Sequence, residues 1–171
     1  MEKEQQKNIV AGRKGRKIVV TGPYAAGKST FVRALCKDSV SIDSDGTTVV
    51  MDYGQRRYQE VDVALFGTPG QSRFNYMIEA IAKGGDGFIL IIDSSFPESW
   101  PYATAILNEV AKVGKRPCVI AANKQDLPNA WSPEEVKEKR GVKYPVNGTI
   151  AITGENVETA LEMLIESIER Q

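Results

Sequence analysis

Gly22-Pro23-Tyr24-Ala25-Ala26-Gly27-Lys28-Ser29 satisfies the pattern G-x-x-x-x-G-K-[ST] in full. The pattern has a mechanical basis. Successive backbone N–H groups wrap a polyphosphate, and Gly22 and Gly27 permit backbone shapes that a side chain would block. Lys28 reaches the β- and γ-phosphates, and the Ser29 hydroxyl can ligate Mg²⁺. The flanks agree with this reading. Residues 16–21, Arg-Lys-Ile-Val-Val-Thr, read as a short buried strand, and residues 30–35, Thr-Phe-Val-Arg-Ala-Leu, as the helix that follows. Phosphates would then lie at a helix N-terminus, where free N–H groups and the dipole favour anions.

Outward from the loop, 171 residues are enough for one domain with a substantial core. Residues 1–15 are polar and read as a flexible tail, leaving 16–171 as a single domain. Lys+Arg and Asp+Glu number 22 each, so no net charge argues for a nucleic-acid partner. No apolar run approaches the ~20 residues that span a bilayer. The N-terminus lacks a signal peptide and a myristoylation glycine, and the C-terminus lacks a prenylation cysteine. These features point to a cytoplasmic protein with no stable membrane anchor. Cys36 and Cys118 fall on a helix end and a buried strand, as core thiols do. The absence of histidine excludes a histidine base or metal ligand in this chain.

Strand and helix patterns alternate along the rest of the chain. Residues 38–46, rich in Ser and Asp, read as an exposed loop. Residues 47–53 and 61–66 read as two antiparallel strands with a tight connection near 56–60. Residues 72–82 are helical, and 87–93 is an apolar strand ending in a carboxylate. A helix over 101–114 carries Ala103, Ile106, Leu107, Val110 and Val113 on one face. A strand over 117–122, a short helix capped by Ser132-Pro133, a strand over 144–152 and a helix over 155–169 complete the order. Such alternation gives a mainly parallel sheet covered on both faces, with strand-end loops gathered on one edge.

On that edge, after the strand over 117–122, stands Asn123-Lys124-Gln125-Asp126. The Asp126 carboxylate can accept hydrogen bonds from guanine N1–H and its 2-amino group, donors that adenine does not present there. The Lys124 stem can lie across the base, and Asn123 can tie this loop to the phosphate loop.

With these motifs the chain resembles a small GTPase of the Ras/Arf superfamily over about residues 16–170. Ala25-Ala26-Gly27-Lys28-Ser29 and Ile91-Ile92-Asp93-Ser94 look closer to the Arf branch, and the missing lipid signals suggest a prokaryotic member. The resemblance implies a P-loop NTPase (Ras-like) fold, an α/β sheet of about six mostly parallel strands with one antiparallel edge strand. It implies GTP/GDP and Mg²⁺ as ligands, with Tyr24, Ala25, Ala26 and Thr30 joining Gly22, Gly27, Lys28 and Ser29 around the phosphates. Thr48 is similar to the switch I threonine that binds Mg²⁺ with Ser29, although neighbouring Thr47 leaves the register open. Gly70 and Gln71 resemble the start of switch II, where the glycine N–H meets the γ-phosphate and Gln71 orients the attacking water. Ile150-Ala151-Ile152 stands where the family has Ser-Ala-Lys, so the Ala151 N–H would meet guanine O6. Effector, activating and exchange proteins are the implied partners, acting on a monomer or a nucleotide-dependent dimer.

Three departures stand out. Gly67 replaces the aspartate that holds a Mg²⁺-bound water in the family; Asp93, Asp43 or Asp45 could substitute. Tyr24 occupies a phosphate-loop position that is glycine in Ras, where it would obstruct a partner's arginine finger, cover the phosphates or point to solvent. Ile150 and Ile152 replace polar flanks of the base loop. Arg56, Arg57 and Arg73 are the in-chain candidates for a catalytic arginine. The leading function is a GTPase switch with nucleotide-sensitive segments near 38–52 and 67–83, slow alone and stimulated by a partner. The alternatives are a guanine-nucleotide-dependent scaffold with little hydrolysis and, behind it, a phosphate-loop kinase or ATPase.

Overall fold

The computed structural model describes residues 14–44 and 47–171. Its strands are β1 (Lys14–Thr21), β2 (Val40–Ser44), β3 (Thr47–Tyr58), β4 (Val61–Gly67), β5 (Gly87–Asp93), β6 (Cys118–Asn123) and β7 (Val146–Gly148). Its helices are α1 (Lys28–Leu35), α2 (Tyr76–Ala82), α3 (Trp100–Ala111), α4 (Pro133–Arg140) and α5 (Val157–Glu169). One sheet of seven strands runs in the order β2-β3-β4-β1-β5-β6-β7. The pairs β1–β4, β1–β5, β5–β6 and β6–β7 are parallel, and β2–β3 and β3–β4 are antiparallel. The mostly parallel sheet with an antiparallel edge is therefore the architecture present.

Alternation along the central strands divides the core between two faces. Ile89 and Ile91 of β5 pack with Phe31 of α1 and with Leu161 and Leu164 of α5. Phe88, Leu90 and Ile92 face the other way, onto Ile78 of α2 and Ala103 and Ile106 of α3. Helices on both faces explain why β5 and β6 are apolar up to their last residues, Asp93 and Asn123. Helix α4 is short and polar, and a capping box holds its start: Ser132 Oγ accepts from Glu135 N–H, and the Glu135 carboxylate accepts from Ser132 N–H.

The structure moves several boundaries. Residues 40–44, read as loop, form β2, which pairs Val40 with Tyr53 and Ser41 with Asp52. The serines and aspartate of β2 gave it the composition of an exposed loop. β1 begins at Lys14, because pairing with Val61 and Asp62 of β4 carries it into the expected tail; residues 1–13 lie outside the described residues. The β3–β4 turn is confined to Gln59 and Glu60. β7 is only three residues long, and the chain then turns through 150–154 under an Ile150–Glu155 bridge. Both cysteines are buried free thiols. Burial pushes the Cys118 thiol up to about 12 against a backbone hydrogen bond from Leu90, and burial likewise raises Cys36. Both therefore stay protonated and unreactive near neutral pH. No described helix is long and apolar enough to cross a membrane.

Candidate nucleotide-binding site

The strand order changes direction at β1, between β4 and β5, and the loop after β1 opens into that crevice. Two glycines shape the loop. Gly27 has φ +105°, and a Cβ on it would stand 2.4 Å from Asn123 Nδ2; one on Gly22 would stand 2.1 Å from the Ile91 carbonyl oxygen. Of the four non-glycine residues with left-handed backbone among the described residues, two lie here, Ala25 at φ 61° and Lys124 at φ 65°. For a residue with a Cβ this costs roughly 1–2 kcal/mol, and such strain gathers where function holds it. Here the two strained residues touch: Lys124 Nζ donates to the Ala25 carbonyl at 2.8 Å.

Asn123 at the end of β6 is 3% exposed and joins three segments. Its Nδ2 donates to the Ala26 carbonyl at 3.0 Å. Its Oδ1 accepts from the Ala151 N–H at 2.9 Å and the Thr149 hydroxyl at 3.1 Å. The Ala151 N–H, expected to await guanine O6, is thus already engaged, and a base would have to share it. Lys124 Nζ also pairs with Asp93 Oδ2 at 2.7 Å. Burial alone would raise the Asp93 carboxyl, but hydrogen bonds from Lys124 and Ser95 outweigh it and hold the group below its ordinary value. Asp93 is therefore the anchor of Lys124, not the substitute for an aspartate at Gly67. Asp126 is exposed and has no protein partner among the described residues. Beside it a pocket of about 210 Å³ runs from Gly27 and Thr30 to Ala151 and Ile152. The Ile152 side chain is 80% exposed at its rim.

Gly27, Thr30 and Lys124 also line a second pocket of about 560 Å³, with Lys28, Ser29, Asp52, Gly70 and Gln71. Lys28 is buried and donates to the Gly22 and Pro23 carbonyls, each at 2.8 Å. Burial pushes its ammonium down to about 8, against the opposing pull of Asp52. Gly70 packs so closely that a Cβ there would stand 2.5 Å from Lys28 Nζ. Gln71 Oε1 accepts from Arg73 Nε at 2.8 Å. Tyr24 is 71% exposed and stands on the wall of this pocket.

The backbone of Thr48 lies in β3, and its side chain, with that of Asp43 and all of Asp45, lies outside the described residues. Of the candidate arginines, Arg56 is held away from the cleft by a two-toothed pair with Glu158 of α5 at 2.7 Å. Arg57 pairs with Glu60 in the β3–β4 hairpin. Only Arg73 reaches a predicted catalytic residue. The residue that sequence reasoning missed is Asp52. Its signal was faint: one acid in a strand that also carries Thr47, Thr48, Gln55, Arg56 and Arg57, two strands from the phosphate loop.

Residues 17–170 match the Ras family. The chain belongs to that family, and is an Arf-like, GTP-binding small GTPase with the P-loop fold. The ADP-ribosylation factor-like protein 5 of Caenorhabditis elegans is 28% identical over 163 residues, covering 89% of this chain and 90% of that one. Human Ras-related protein Rab-27B is 27% identical over 174 residues, covering 89% and 78%. An uncharacterised protein of Methanocaldococcus jannaschii is 34% identical over 79 residues, 46% of this chain and only about half, 51%, of that relative. In fold, the Arl6 BBS3 small GTPase of Trypanosoma brucei, solved with the nucleotide analogue GppNp, matches with TM-score 0.77 over 92% of this chain and 99% of that chain, at 19% identity. Relatives from eukaryotes and an archaeon occur together, so the likeness is to the family and does not carry the expected prokaryotic origin.

Proposed function

We propose that this chain binds GTP with Mg²⁺, hydrolyses it slowly to GDP and phosphate, and is accelerated by a partner. It would work in the cytoplasm as a monomer or nucleotide-dependent dimer, with effector, activating and exchange proteins reading or resetting its state. The observation that carries the reading is the tie between base loop and phosphate loop. Asn123 and Lys124 bond to the carbonyls of Ala26 and Ala25, leaving the Asp126 carboxylate open beside a pocket that continues into the phosphate cradle. A carboxylate at that end selects a base with two adjacent N–H donors, as guanine has.

The donor chemistry fits Mg²⁺. The Ser29 hydroxyl lies beside a buried carboxylate, and hard oxygen ligands suit this ion. Ser29 and Thr48 would hold it. When bound, Mg²⁺ neutralises charge on the β- and γ-phosphate oxygens. The chain's own groups do the rest. Phosphate oxygens would replace the Gly22 and Pro23 carbonyls as partners of Lys28, placing its ammonium where negative charge builds on the leaving group. The Gly70 N–H would donate to the γ-phosphate. Gln71 would turn from Arg73 and orient a water for attack on phosphorus as the bond to the GDP oxygen breaks; the water's protons end on phosphate and solvent. The hairpin of β2 and β3 and the segment after Gly67 would change with the nucleotide.

Single-turnover hydrolysis of GTP, with and without Mg²⁺, tests this. Slow Mg²⁺-dependent phosphate release is expected. Release no faster than in buffer alone would leave the second reading, a scaffold that binds GTP without hydrolysing it. The Gln71–Arg73 contact favours that second reading, because it turns the catalytic amide away from its task.

A further inference from the structure

The family pattern has an aspartate where this chain has Gly67, and the structure shows what fills that space. Gly67 ends β4, and continuing the β3–β4 register beyond Tyr53↔Phe66 sets Asp52 opposite it. Residues directly opposed in an antiparallel pair project to the same face. A Cβ at Gly67 would stand 3.0 Å from Asp52 Cβ and 3.2 Å from Asp52 Oδ2. A side chain at 67 and the carboxylate of residue 52 therefore compete for one volume, and Asp52 holds it.

Asp52 is 6% exposed. Its Oδ2 accepts from the Ser29 hydroxyl at 2.7 Å, and its Oδ1 accepts from the Ser41 hydroxyl at 2.7 Å. Ser41 is its register partner on β2. A carboxylate buried among neutral donors is costly unless a cation compensates it, and the nearby Lys28 ammonium is the one that phosphates would draw off.

We propose that Asp52, reaching across from β3, supplies the Mg²⁺-shell carboxylate that the family pattern places at Gly67. This rests on the GTPase reading above. A hydroxyl that ligates a metal through oxygen keeps its proton and needs an acceptor, and Asp52 Oδ2 is that acceptor for Ser29. Such outer carboxylates orient the ligand and the metal's waters. Among the described residues no group of three or more acids or cysteines gathers to cage a metal. That suits an ion held by a hydroxyl, waters and substrate phosphates. Because Oδ1 binds Ser41, the same residue joins the metal site to the outermost strand. Metal occupancy and the position of the β2–β3 hairpin become coupled through one side chain.

The test is release of a fluorescent GDP from the wild type, from Asp52→Asn, and from the double variant Asp52→Gly/Gly67→Asp. Each is measured in saturating Mg²⁺ and in EDTA. The ratio of the two rates reports what the ion adds to nucleotide binding and needs no hydrolysis. Asparagine keeps the shape and an acceptor oxygen but removes the charge. The ratio should fall about tenfold or more in Asp52→Asn, with the EDTA rate nearly unchanged. It should recover in the double variant, where β4 returns the carboxylate. A fall smaller than about tenfold, or equal acceleration in both media, overturns the proposal and leaves Asp52 a structural tie. If Asp52→Asn fails to fold, the double variant decides: a lost ratio overturns the proposal and a retained one supports it. A wild type indifferent to Mg²⁺ overturns the Mg²⁺-dependent reading itself, and this inference with it.

Discussion

The two ends of the cleft are built on different terms. At the base end, Asn123 satisfies three groups at once, and Lys124 spans from Asp93 to Ala25, so β5, β6 and the phosphate loop form one frame. At the γ-phosphate end, two important groups rest on partners that a ligand would replace: Lys28 donates to carbonyls of its own loop and Gln71 accepts from Arg73, while Asp52 keeps its two serine hydroxyls. A preformed end supplies recognition, because little reorganisation opposes binding. An end whose groups must exchange partners supplies a response to what is bound.

The comparison breaks most directly at Asn123. Asn123→Ala leaves the Ala26 carbonyl and the Ala151 N–H unpaired in the interior, which should cost about 3 kcal/mol. The midpoint of denaturant unfolding measures this, and a loss confined to nucleotide affinity would mean the frame does not need the tie. At the other end, Gln71→Ala should leave GDP affinity unchanged and slow single-turnover hydrolysis about 100-fold. Equal rates would show that the glutamine never leaves Arg73. Asp126→Asn, back at the base end, should weaken GDP roughly 30-fold, the effect of about 2 kcal/mol from one charged acceptor. Competition by ADP should gain in proportion, and full retention of the GDP preference would sink the guanine assignment.

A gentler probe uses Lys28. Its free ammonium titrates at about 8, and bound phosphates raise that value. Between the free and bound values, binding takes up a proton, so affinity falls as pH rises above about 8 and is flat below it. The slope approaches about tenfold per pH unit. Affinity for GDP measured from pH 7 to 9 should bend near 8 in the wild type and stay straight in Lys28→Met. The smallest effect belongs to Arg56, whose pair with Glu158 is partly exposed on both sides. Arg56→Ala should cost only about 0.5–1 kcal/mol after solvent screening and leave hydrolysis untouched. A catalytic defect would return Arg56 to the list of candidate arginines.

Much of the fold could be read from residue order. The apolar runs of β5 and β6 and the helical stripe on α3 announced themselves, because strands and helices covered on one or both faces must be apolar there. β2 was hidden because Val40-Ser41-Ile42-Asp43-Ser44 mixes polar and apolar residues as an exposed loop does, and only its pairing with β3 shows it to be a strand. β7 was overdrawn because Ile150 and Ile152 look like strand residues. In the structure they belong to a turn, with Ile152 out in solvent. Arg56 could not be excluded from catalysis by sequence, since its partner Glu158 is about a hundred residues away.

What the sequence determined by itself is the local chemistry of the cleft. The glycines at 22 and 27, the lysine and serine after them, and Asn123-Lys124-Gln125-Asp126 are each short runs whose backbone needs and side-chain types suffice to name a phosphate and a purine ligand. The tertiary structure alone decided which carboxylate stands beside Ser29. No run of residues encodes that, because Asp52 meets Gly67 and Ser41 through strand register. A shift of one residue in either pairing would turn the carboxylate to the opposite face of the sheet.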